Sequence, residues 1–404
     1  MKGKLQSISL ILIATLSTLV FSCETEEKLS PERDSLFKKF YGTAFDESAR
    51  DLAILENGDI LLLGTTSSLG NGGQDIYLVK TDAYGDYQWE KTFGGALNDG
   101  GSSITLDSEG NILITGFVTE ANGNKDYALL KVDQEGNLLD SLTVGRKNFS
   151  EEGERTVITQ DGGFVIGGNV LRGNDVVDNY FYKISASGDS LWTVSVNFLE
   201  GLGALSSLVE TSAGEILWSS TTNTGGGSDS NIVIGLIEKD GQSNQLAFYG
   251  ENNGINEIGN DLTSTAAGWV ISGSAKANGG NSDLLLLGIN TTGRLKVSWD
   301  QVFGTELSEE ARGVALSTNG TMIIAGVQEV GADNNDILLC EATFNGDIRW
   351  SKVFGGNGDD RGSQVAIVDG DILVMGTSEI ENNDVLTLIK TNSKGEFSST
   401  NKQE

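Results

Sequence analysis

The sequence of 404 residues contains no histidine. Catalysis by Ser-His-Asp or Cys-His arrangements, histidine-ligated zinc, iron or copper, and pH switching by imidazole are therefore excluded. Side-chain chemistry is left to carboxylates, tyrosines and arginines, together with the backbone. The sequence also lacks a Gly-rich phosphate loop, a nucleophile elbow and a recognisable metal motif, so neither a catalytic residue nor a metal site is predicted from a motif.

Cysteine and proline are nearly absent. The single proline is Pro31, and the two cysteines are Cys23 and Cys340. Cys340 lies in the apolar run DILLC, far from the N-terminal Cys23. No disulfide is expected, and Cys340 is predicted to be a buried structural thiol.

Basic residues are outnumbered by acidic ones. The chain has 27 Lys and Arg against 57 Asp and Glu, which gives a formal net charge of −30. Such a surface repels phosphate backbones and anionic lipid headgroups, so the sequence predicts no binding to nucleic acid. High negative charge also keeps an extracytoplasmic protein soluble, and this is the simpler explanation of the excess of acidic residues.

The N-terminal segment reads as a processing signal. Lys2 and Lys4 precede an apolar run from Leu10 to Phe21, which is short for a membrane span. Its ending, Val-Phe-Ser-Cys, resembles the lipobox of bacterial lipoproteins, in which the cysteine is acylated and becomes the mature N-terminus. The resemblance implies a signal peptide over residues 1–22 and a membrane anchor of acyl chains such as palmitate on Cys23. The alternatives are a plain signal peptide or an uncleaved anchor.

The polar stretch that follows is predicted to be an acidic tether over residues 23–34. An acidic segment directly after a lipidated cysteine resembles the surface-export signal of Bacteroidetes lipoproteins. The resemblance implies a lipoprotein of the cell envelope, in the outer membrane and exposed at the cell surface.

A unit of about 52 residues then repeats seven times. It reads DIYLVKTDAYGDYQWEKTFGG from Asp75 and returns as DILLCEATFNGDIRWSKVFGG from Asp336. One turn glycine marks each copy: Gly85, Gly136, Gly188, Gly241, Gly293, Gly346 and Gly395. Each copy contains four short apolar segments separated by glycine and Asn/Asp turns, without a helical period, so each predicts four β-strands, a to d.

Seven units of four strands predict an all-β fold, a seven-bladed β-propeller over residues 35–404. Radial packing protects strand edges that one flat sheet would leave exposed, and a sandwich of so many strands is not plausible. A linear β-solenoid is the structural alternative. The segment FKKFYG from Phe37 aligns with strand d but has no a, b or c before it. This N-terminal strand is therefore predicted to complete the last blade and close the ring.

Aromatic residues recur in strand d. Trp89, Trp192, Trp299 and Trp350 occupy equivalent places and are predicted to cover the seams between blades. The unit DGGFVIGG at Asp161, the D-x-Y-L-x-K strand and the following F-G-G resemble the β-propeller repeats of secreted and lipid-anchored Bacteroidetes proteins, a group without one agreed activity.

A second resemblance concerns the c-to-d turn. The D-x-x-G-x-x-x-W pattern from Asp82 to Trp89 is similar to the tryptophan-docking repeat of quinoprotein dehydrogenases and of the outer-membrane assembly lipoprotein that shares their fold. Those proteins usually have eight blades. The sequence also lacks the vicinal cysteines associated with many quinone sites, so no quinone cofactor is expected.

Acidic residues cluster just before strand a. These candidates for the ligand-binding face are Asp46, Glu47, Asp99, Glu151, Glu152, Glu309, Glu310, Asp359 and Asp360. The d-to-a and b-to-c loops share one face of a propeller, so the carboxylates are predicted to ring one mouth of the channel. They are expected mainly to cap turns and to pair with the arginines that follow several of them, at positions 50, 155, 312 and 361. No cofactor is predicted, because no loop has the D-x-D-x-D spacing of a calcium loop. A Ca²⁺ ion at the acidic mouth is the alternative, since oxygen ligands suit Ca²⁺.

The sequence as a whole predicts a binding module and no enzyme. The mouth residues repeat from blade to blade, which favours architecture over a single reactive centre. We expect a lipid-anchored propeller that attaches to the membrane through its acyl chains and binds a protein or a glycan. Blade four departs most from the repeat, and its loops 199–206 and 222–230 are the expected partner surface. The alternatives are a scaffold for outer-membrane assembly or secretion and a carboxylate-based glycosidase or lyase.

Overall fold

A computed structural model describes residues 35–43, 46–171, 177–197, 202–222, 229–243, 245–250, 254–277, 279–331 and 334–397. The predicted signal peptide, Cys23 and the tether lie outside these residues. All regular structure in the described part of the chain is β-strand. That part contains no helix long and apolar enough to cross a membrane.

The strands form seven four-stranded antiparallel blades arranged as a β-propeller, as the repeat predicts. The chain begins with β1 (Phe37–Tyr41), followed by blade 1 with β2 (Glu47–Ile54), β3 (Ile60–Thr66), β4 (Asp75–Thr81) and β5 (Tyr87–Phe93). Blade 2 contains β6 (Gly100–Leu106), β7 (Ile112–Thr119), β8 (Lys125–Val132) and β9 (Leu138–Val144). Blade 3 contains β10 (Ser150–Ile158), β11 (Phe164–Leu171), β12 (Val177–Ile184) and β13 (Ser190–Val196).

The remaining blades follow the same order. Blade 4 contains β14 (Leu202–Glu210), β15 (Ile216–Thr222), β16 (Asn231–Ile237) and β17 (Gln245–Tyr249). Blade 5 contains β18 (Ile255–Thr265), β19 (Gly268–Ala277), β20 (Ser282–Asn290) and β21 (Lys296–Phe303). Blade 6 contains β22 (Glu309–Leu316), β23 (Met322–Gly331), β24 (Asn334–Ala342) and β25 (Ile348–Phe354). Blade 7 contains β26 (Asp360–Val368), β27 (Asp371–Ile380) and β28 (Asn383–Thr391), and its fourth strand is β1.

Ring closure by the N-terminal strand is confirmed. β1 pairs antiparallel with β28, from Phe37 opposite Lys390 to Tyr41 opposite Leu386. The Tyr41 hydroxyl donates to the carbonyl of Gly85 in blade 1 at 2.6 Å. The first strand therefore joins the last blade by its backbone and the first blade by a side chain.

The hydrophobic core lies between the blades. The two middle strands of blade 1, β3 and β4, are buried at every position, whereas the outer strand β5 has no buried residue. Leu63 and Leu78 of blade 1 pack in one cluster with Ile112 and Ile114 of blade 2. A sheet that packs against a neighbour on both faces requires apolar residues in succession, and this explains runs such as ILLLG.

The seams between blades are covered by strand-d aromatics, as predicted. A side chain on Gly136 would meet the Trp89 ring at 3.1 Å, and one on Gly241 would meet Trp192 at 2.9 Å. Both turn glycines have positive φ, +83° and +85°, a conformation that L-residues rarely adopt. The turn glycine therefore serves two needs, the c-to-d turn and contact with the tryptophan of the preceding blade.

Strand a carries a β-bulge in every blade, at equivalent positions. The strand-b glycine lies opposite, and a side chain on Gly326 would meet the carbonyl oxygen of Glu310 at 1.8 Å. Close approach of the two backbones thus excludes larger residues in six blades. Blade 4 has Ser220 there, and its hydroxyl donates to the Gly203 carbonyl at 3.1 Å.

Blade 4 also departs in its connection to blade 3. Leu202 pairs with Val177 of β12, so blades 3 and 4 share one continuous sheet. The repeat lysine of strand c, which contacts an aspartate of the a-to-b turn in blades 1 and 3, is replaced by the buried Leu236. Residues 198–201 and 223–228, which include parts of the two predicted partner loops, lie outside the described residues.

Candidate functional site

The predicted face of loops is confirmed. Where blade 1 meets blade 2, the Asp99 amide donates to the carbonyl of Gln74 at 2.7 Å, joining the d-to-a and b-to-c connections. The Ser67 amide likewise donates to the carbonyl of Asp46 at 3.0 Å. The acidic clusters that precede strand a therefore lie on the face that also carries the b-to-c loops.

Five of the predicted carboxylates are buried and hold the loops in place. We call them the capping carboxylates: Glu47, Asp99, Glu151, Glu309 and Asp360. Asp99 shows the pattern, because it accepts the backbone amides of Gly95 at 2.5 Å and Thr119 at 2.7 Å. The equivalent amide in blade 7 is that of Gly356, at 3.1 Å from Asp360. These residues serve the architecture, as the turn-capping interpretation predicts.

The other four predicted carboxylates, Asp46, Glu152, Glu310 and Asp359, are half-buried or exposed. Glu310 pairs with Arg312 at 3.2 Å, and Asp359 pairs with Arg361, as expected. Glu152 instead pairs with Lys125 at 2.7 Å, a partner that the sequence did not indicate. No group of three or more acidic or cysteine side chains converges as a metal site in the described part of the chain.

The channel contains a cavity of about 510 Å³ lined by strand a of all seven blades. Its wall includes every bulged residue, because a bulge turns one extra side chain toward the axis. These seven side chains form the channel ring: Arg50, Ser102, Glu154, Ser206, Asn260, Arg312 and Ser363. Unlike the capping carboxylates, the channel ring differs from blade to blade.

Arginines supply the positive charge of the cavity. Arg50 is exposed, and it forms no hydrogen bond or ion pair with any residue that the structure describes. Arg155, which follows the bulge of blade 3, also lines the cavity and donates to the carbonyl of Ser102 at 3.3 Å. The expected pairing of Arg50 and Arg155 with the acidic clusters is not seen among the described residues, since both side chains line the cavity instead.

Two aspartates lie behind the channel ring and join neighbouring blades. Asp51 accepts the amide of Ile104 in blade 2 at 3.0 Å, and Asp261 accepts the amide of Val314 in blade 6 at 3.0 Å. Burial raises the pKa of Asp51 to about 6 and also raises the pKa of Asp261, against the attraction of Arg155 in both cases. The charge of Arg155 is therefore balanced locally, which leaves Arg50 as the cation most available to a ligand.

Glu154 is the one carboxylate among the described residues that line the cavity. Asn169 of β11 donates its Nδ2 to Glu154 Oε1 at 2.7 Å. The Asn169 amide is itself oriented by the backbone amide of Leu205, which donates to Oδ1 at 2.8 Å. Burial raises the pKa of Glu154 to about 7, opposed mainly by Arg155. A carboxylate held in this way is half protonated near neutral pH and can accept or donate a proton.

Sequence reasoning missed the channel ring. The only signal of the ring in the sequence is the position one residue before Asp51 and the equivalent position in the other copies. The residue type at this position varies among the copies, whereas most of the repeat is regular. The predicted buried thiol is confirmed, since Cys340 is fully buried and burial raises its pKa to about 12.

Comparison with known proteins supports the fold alone. No protein-family model and no curated protein matches the sequence. A polysaccharide lyase, an ulvan lyase solved bound to -[GlcA(1-4)Rha3S]-, is similar in structure with a TM-score of 0.55 and 13% identity, over 90% of this chain and 98% of the lyase. A puromycin hydrolase matches with a TM-score of 0.50 and 10% identity, over 87% of this chain and 54% of the hydrolase. The propeller domain of a protease from Pyrococcus furiosus matches at 0.47 and 9% identity, over 88% and 100% of the two chains.

Proposed function

We propose that this chain is a lipid-anchored, extracytoplasmic binding module that takes an anionic glycan segment in its channel. The observation that carries the proposal is the channel ring, which collects two arginines, an asparagine, a glutamate and three serines in one cavity. These seven residues, of four different types, come from seven copies of a repeat that is otherwise regular. Divergence confined to a concave polar surface is what a binding site on a repeated scaffold requires.

The chemistry of the ring favours a ligand that is both anionic and rich in hydroxyl groups. Arg50 offers an unpaired guanidinium, which suits a carboxylate or a sulfate. Serine and asparagine side chains donate to and accept from hydroxyl groups. A cavity of about 510 Å³ accommodates a short saccharide segment. The similar ulvan lyase was solved bound to -[GlcA(1-4)Rha3S]-, which is an acidic glycan, and this supports the ligand class by analogy.

Attachment to the membrane is part of the same proposal. An acylated Cys23 and an acidic tether would hold the propeller at the outer membrane, exposed at the cell surface. Metabolic labelling with a palmitate analogue should mark the full chain and not the Cys23→Ala variant. Release of the variant into the medium is the expected companion result.

Binding is tested by calorimetry with oligosaccharides that contain glucuronate and with neutral oligosaccharides of the same length. Acidic oligosaccharides should bind, and added salt should weaken the binding because the attraction is electrostatic. Arg50→Gln should reduce affinity by about tenfold or more, the loss of a charged hydrogen bond. The matched control is Arg361→Gln on the same face, where the arginine pairs with Asp359 outside the cavity wall. Equal binding of acidic and neutral ligands would contradict the proposal.

A scaffold role in outer-membrane assembly or secretion is the alternative. It predicts protein partners that co-purify from membranes whether or not Arg50 is replaced. Loss of co-purification only when Asp229 and Ser230, in the b-to-c loop of blade 4, are changed would favour the scaffold over the glycan-binding module.

A further inference from the structure

We infer that the channel cleaves the acidic glycan by β-elimination, with Glu154 as the catalytic base and Arg50 as the partner of the uronate carboxylate. The inference rests on the proposed function and adds a reaction to it. It is carried by three features of the cavity: one carboxylate among the described residues of its wall, a hydrogen-bonded support that orients this carboxylate, and an unpaired cation in the same wall.

The first feature distinguishes elimination from hydrolysis. Hydrolysis of a glycoside by the usual route needs two carboxyl groups that flank the scissile bond. Among the described residues that line the cavity, Glu154 is the only one with a carboxyl group, and the nearby Asp51 has both oxygens engaged by backbone amides. Elimination from a uronate needs one base and a cation beside the uronate carboxylate, and the wall of the cavity presents both kinds of group.

The second feature is the support of Glu154. Asn169 Nδ2 donates to Glu154 Oε1 at 2.7 Å, and Asn169 Oδ1 accepts from Leu205 and from Asn179 Nδ2 at 3.1 Å. With its Oδ1 occupied, the Asn169 amide presents Nδ2 to the carboxylate. Glu154 Oε2 has no hydrogen-bond partner among the described residues and is the oxygen left to take a proton. Asn169 is therefore a positioning residue.

The charged groups around Glu154 set its proton affinity. Arg50 of β2, Arg155 of its own strand and Lys125 of β8 favour the carboxylate, whereas burial and Glu152 oppose it. Burial dominates, and the pKa of Glu154 is raised to about 7. A base with this pKa has a strong driving force for proton abstraction while still being half ionised at neutral pH.

The reaction balances without a co-reactant. Glu154 Oε2 takes the proton from C5 of the uronate, and the electron pair of that C–H bond forms a C4=C5 double bond. The C4–O glycosidic bond breaks, and its electron pair remains on the leaving oxygen. The proton on Glu154 then passes to that oxygen, which restores the carboxylate. Arg50 stabilises the negative charge that grows on the C6 carboxylate as C5 loses its proton.

One side chain acting as base and then as acid restricts the substrate. The C5 hydrogen and the C4 oxygen must lie on the same face of the sugar ring, as they do in 4-linked glucuronate and mannuronate. In galacturonate and iduronate they lie on opposite faces, where a second group would be needed. Among the described residues of the cavity wall there is no tyrosine or lysine that could serve as that group.

The test is incubation of the full chain with 4-linked polymers of glucuronate, mannuronate and galacturonate, followed by the ultraviolet absorbance of the unsaturated uronate product. Absorbance should rise with glucuronate or mannuronate and stay flat with galacturonate. Glu154→Gln should lower kcat by about a hundredfold or more, with ligand affinity within about twofold of the parent, and Asp189→Asn on an exposed turn of blade 3 is the matched control.

Asn169→Ala tests the role of Glu154 in a variant that retains the carboxylate, also where Glu154→Gln fails to fold. It should lower kcat more than it raises KM and shift the acidic limb of the pH–rate profile, which rises through about pH 7 in the parent. A merely structural role would leave that limb in place. No unsaturated product from any of these polymers, with acidic oligosaccharides still bound, overturns the elimination and leaves the binding module intact. Loss of both binding and product overturns both.

Discussion

The loop face and the channel both take side chains from strand a or from the residues just before it. The loop face carries carboxylates, whereas arginines supply the positive charge of the channel. The two surfaces differ in whether their residues repeat from blade to blade. On the loop face, Glu47, Asp99 and Asp360 occupy one position in successive copies and hold the loops by backbone amides. Four residues or fewer away, the bulge places different side chains in the channel of each blade. Repetition marks what every blade needs for its own fold, whereas divergence marks what the ring as a whole presents to a ligand.

The largest effect on stability is expected from a change that separates strand a from strand b at their repeated close approach. Gly326→Val places a side chain 1.8 Å from the carbonyl oxygen of Glu310 if nothing moves, so the two strands must separate. We expect a loss of at least about 3 kcal/mol in the free energy of unfolding, or no folded protein. The contrasting change is Ser220→Gly in blade 4, which should cost only about 1 kcal/mol. Urea denaturation followed by fluorescence measures both, and similar losses would refute the close-approach explanation.

An intermediate effect separates the two surfaces directly. Asp99→Ala leaves the amides of Gly95 and Thr119 without their acceptor and should cost about 3 kcal/mol of stability. Arg50→Ala should change the free energy of unfolding by no more than about 0.5 kcal/mol, since its side chain has no described partner. Its effect should appear instead as weaker binding of acidic oligosaccharide. A destabilised Arg50→Ala, or a stable Asp99→Ala, would remove the distinction between the surfaces.

The smallest effect concerns pH. The Lys183 ammonium, hydrogen-bonded to Asp161 at 2.7 Å, holds the pKa of Asp161 well below its usual range. A lowered pKa in the folded state stabilises the protein above the pKa of the unfolded state, and this contribution is lost as the pH falls toward the folded pKa. Asp161 is 60% exposed, so Asp161→Asn should cost less than about 1 kcal/mol at pH 7.

This difference between parent and variant should shrink as the pH falls below about 4. Denaturation of both proteins at several pH values measures it. A difference that grows on acidification would mean that another group is responsible.

Much of the fold could be predicted because its determinants are local. The spacing of Gly85, Gly136 and the other turn glycines defines the blade, and the incomplete first copy at Phe37 predicts closure of the ring. The place of the mouth carboxylates was also predictable, as was the contact of Trp89 with the next blade. The direction of Arg50 and Glu154 was not, since a one-residue bulge decides whether a side chain in strand a faces the next blade or the axis.

The number of blades, their strand order and the N-terminal strand that completes the last blade can all be read from the sequence. These features follow from hydrophobic and turn patterns that act within about 50 residues of chain, and the same patterns recur in each copy of the repeat. Only in the folded ring do Arg50, Glu154 and the five other side chains of the channel ring share one cavity. These residues belong to different blades, and they meet because ring closure brings the seven bulges to a common axis. Their proximity is a relation between blades, so the sequence of one repeat does not reveal it.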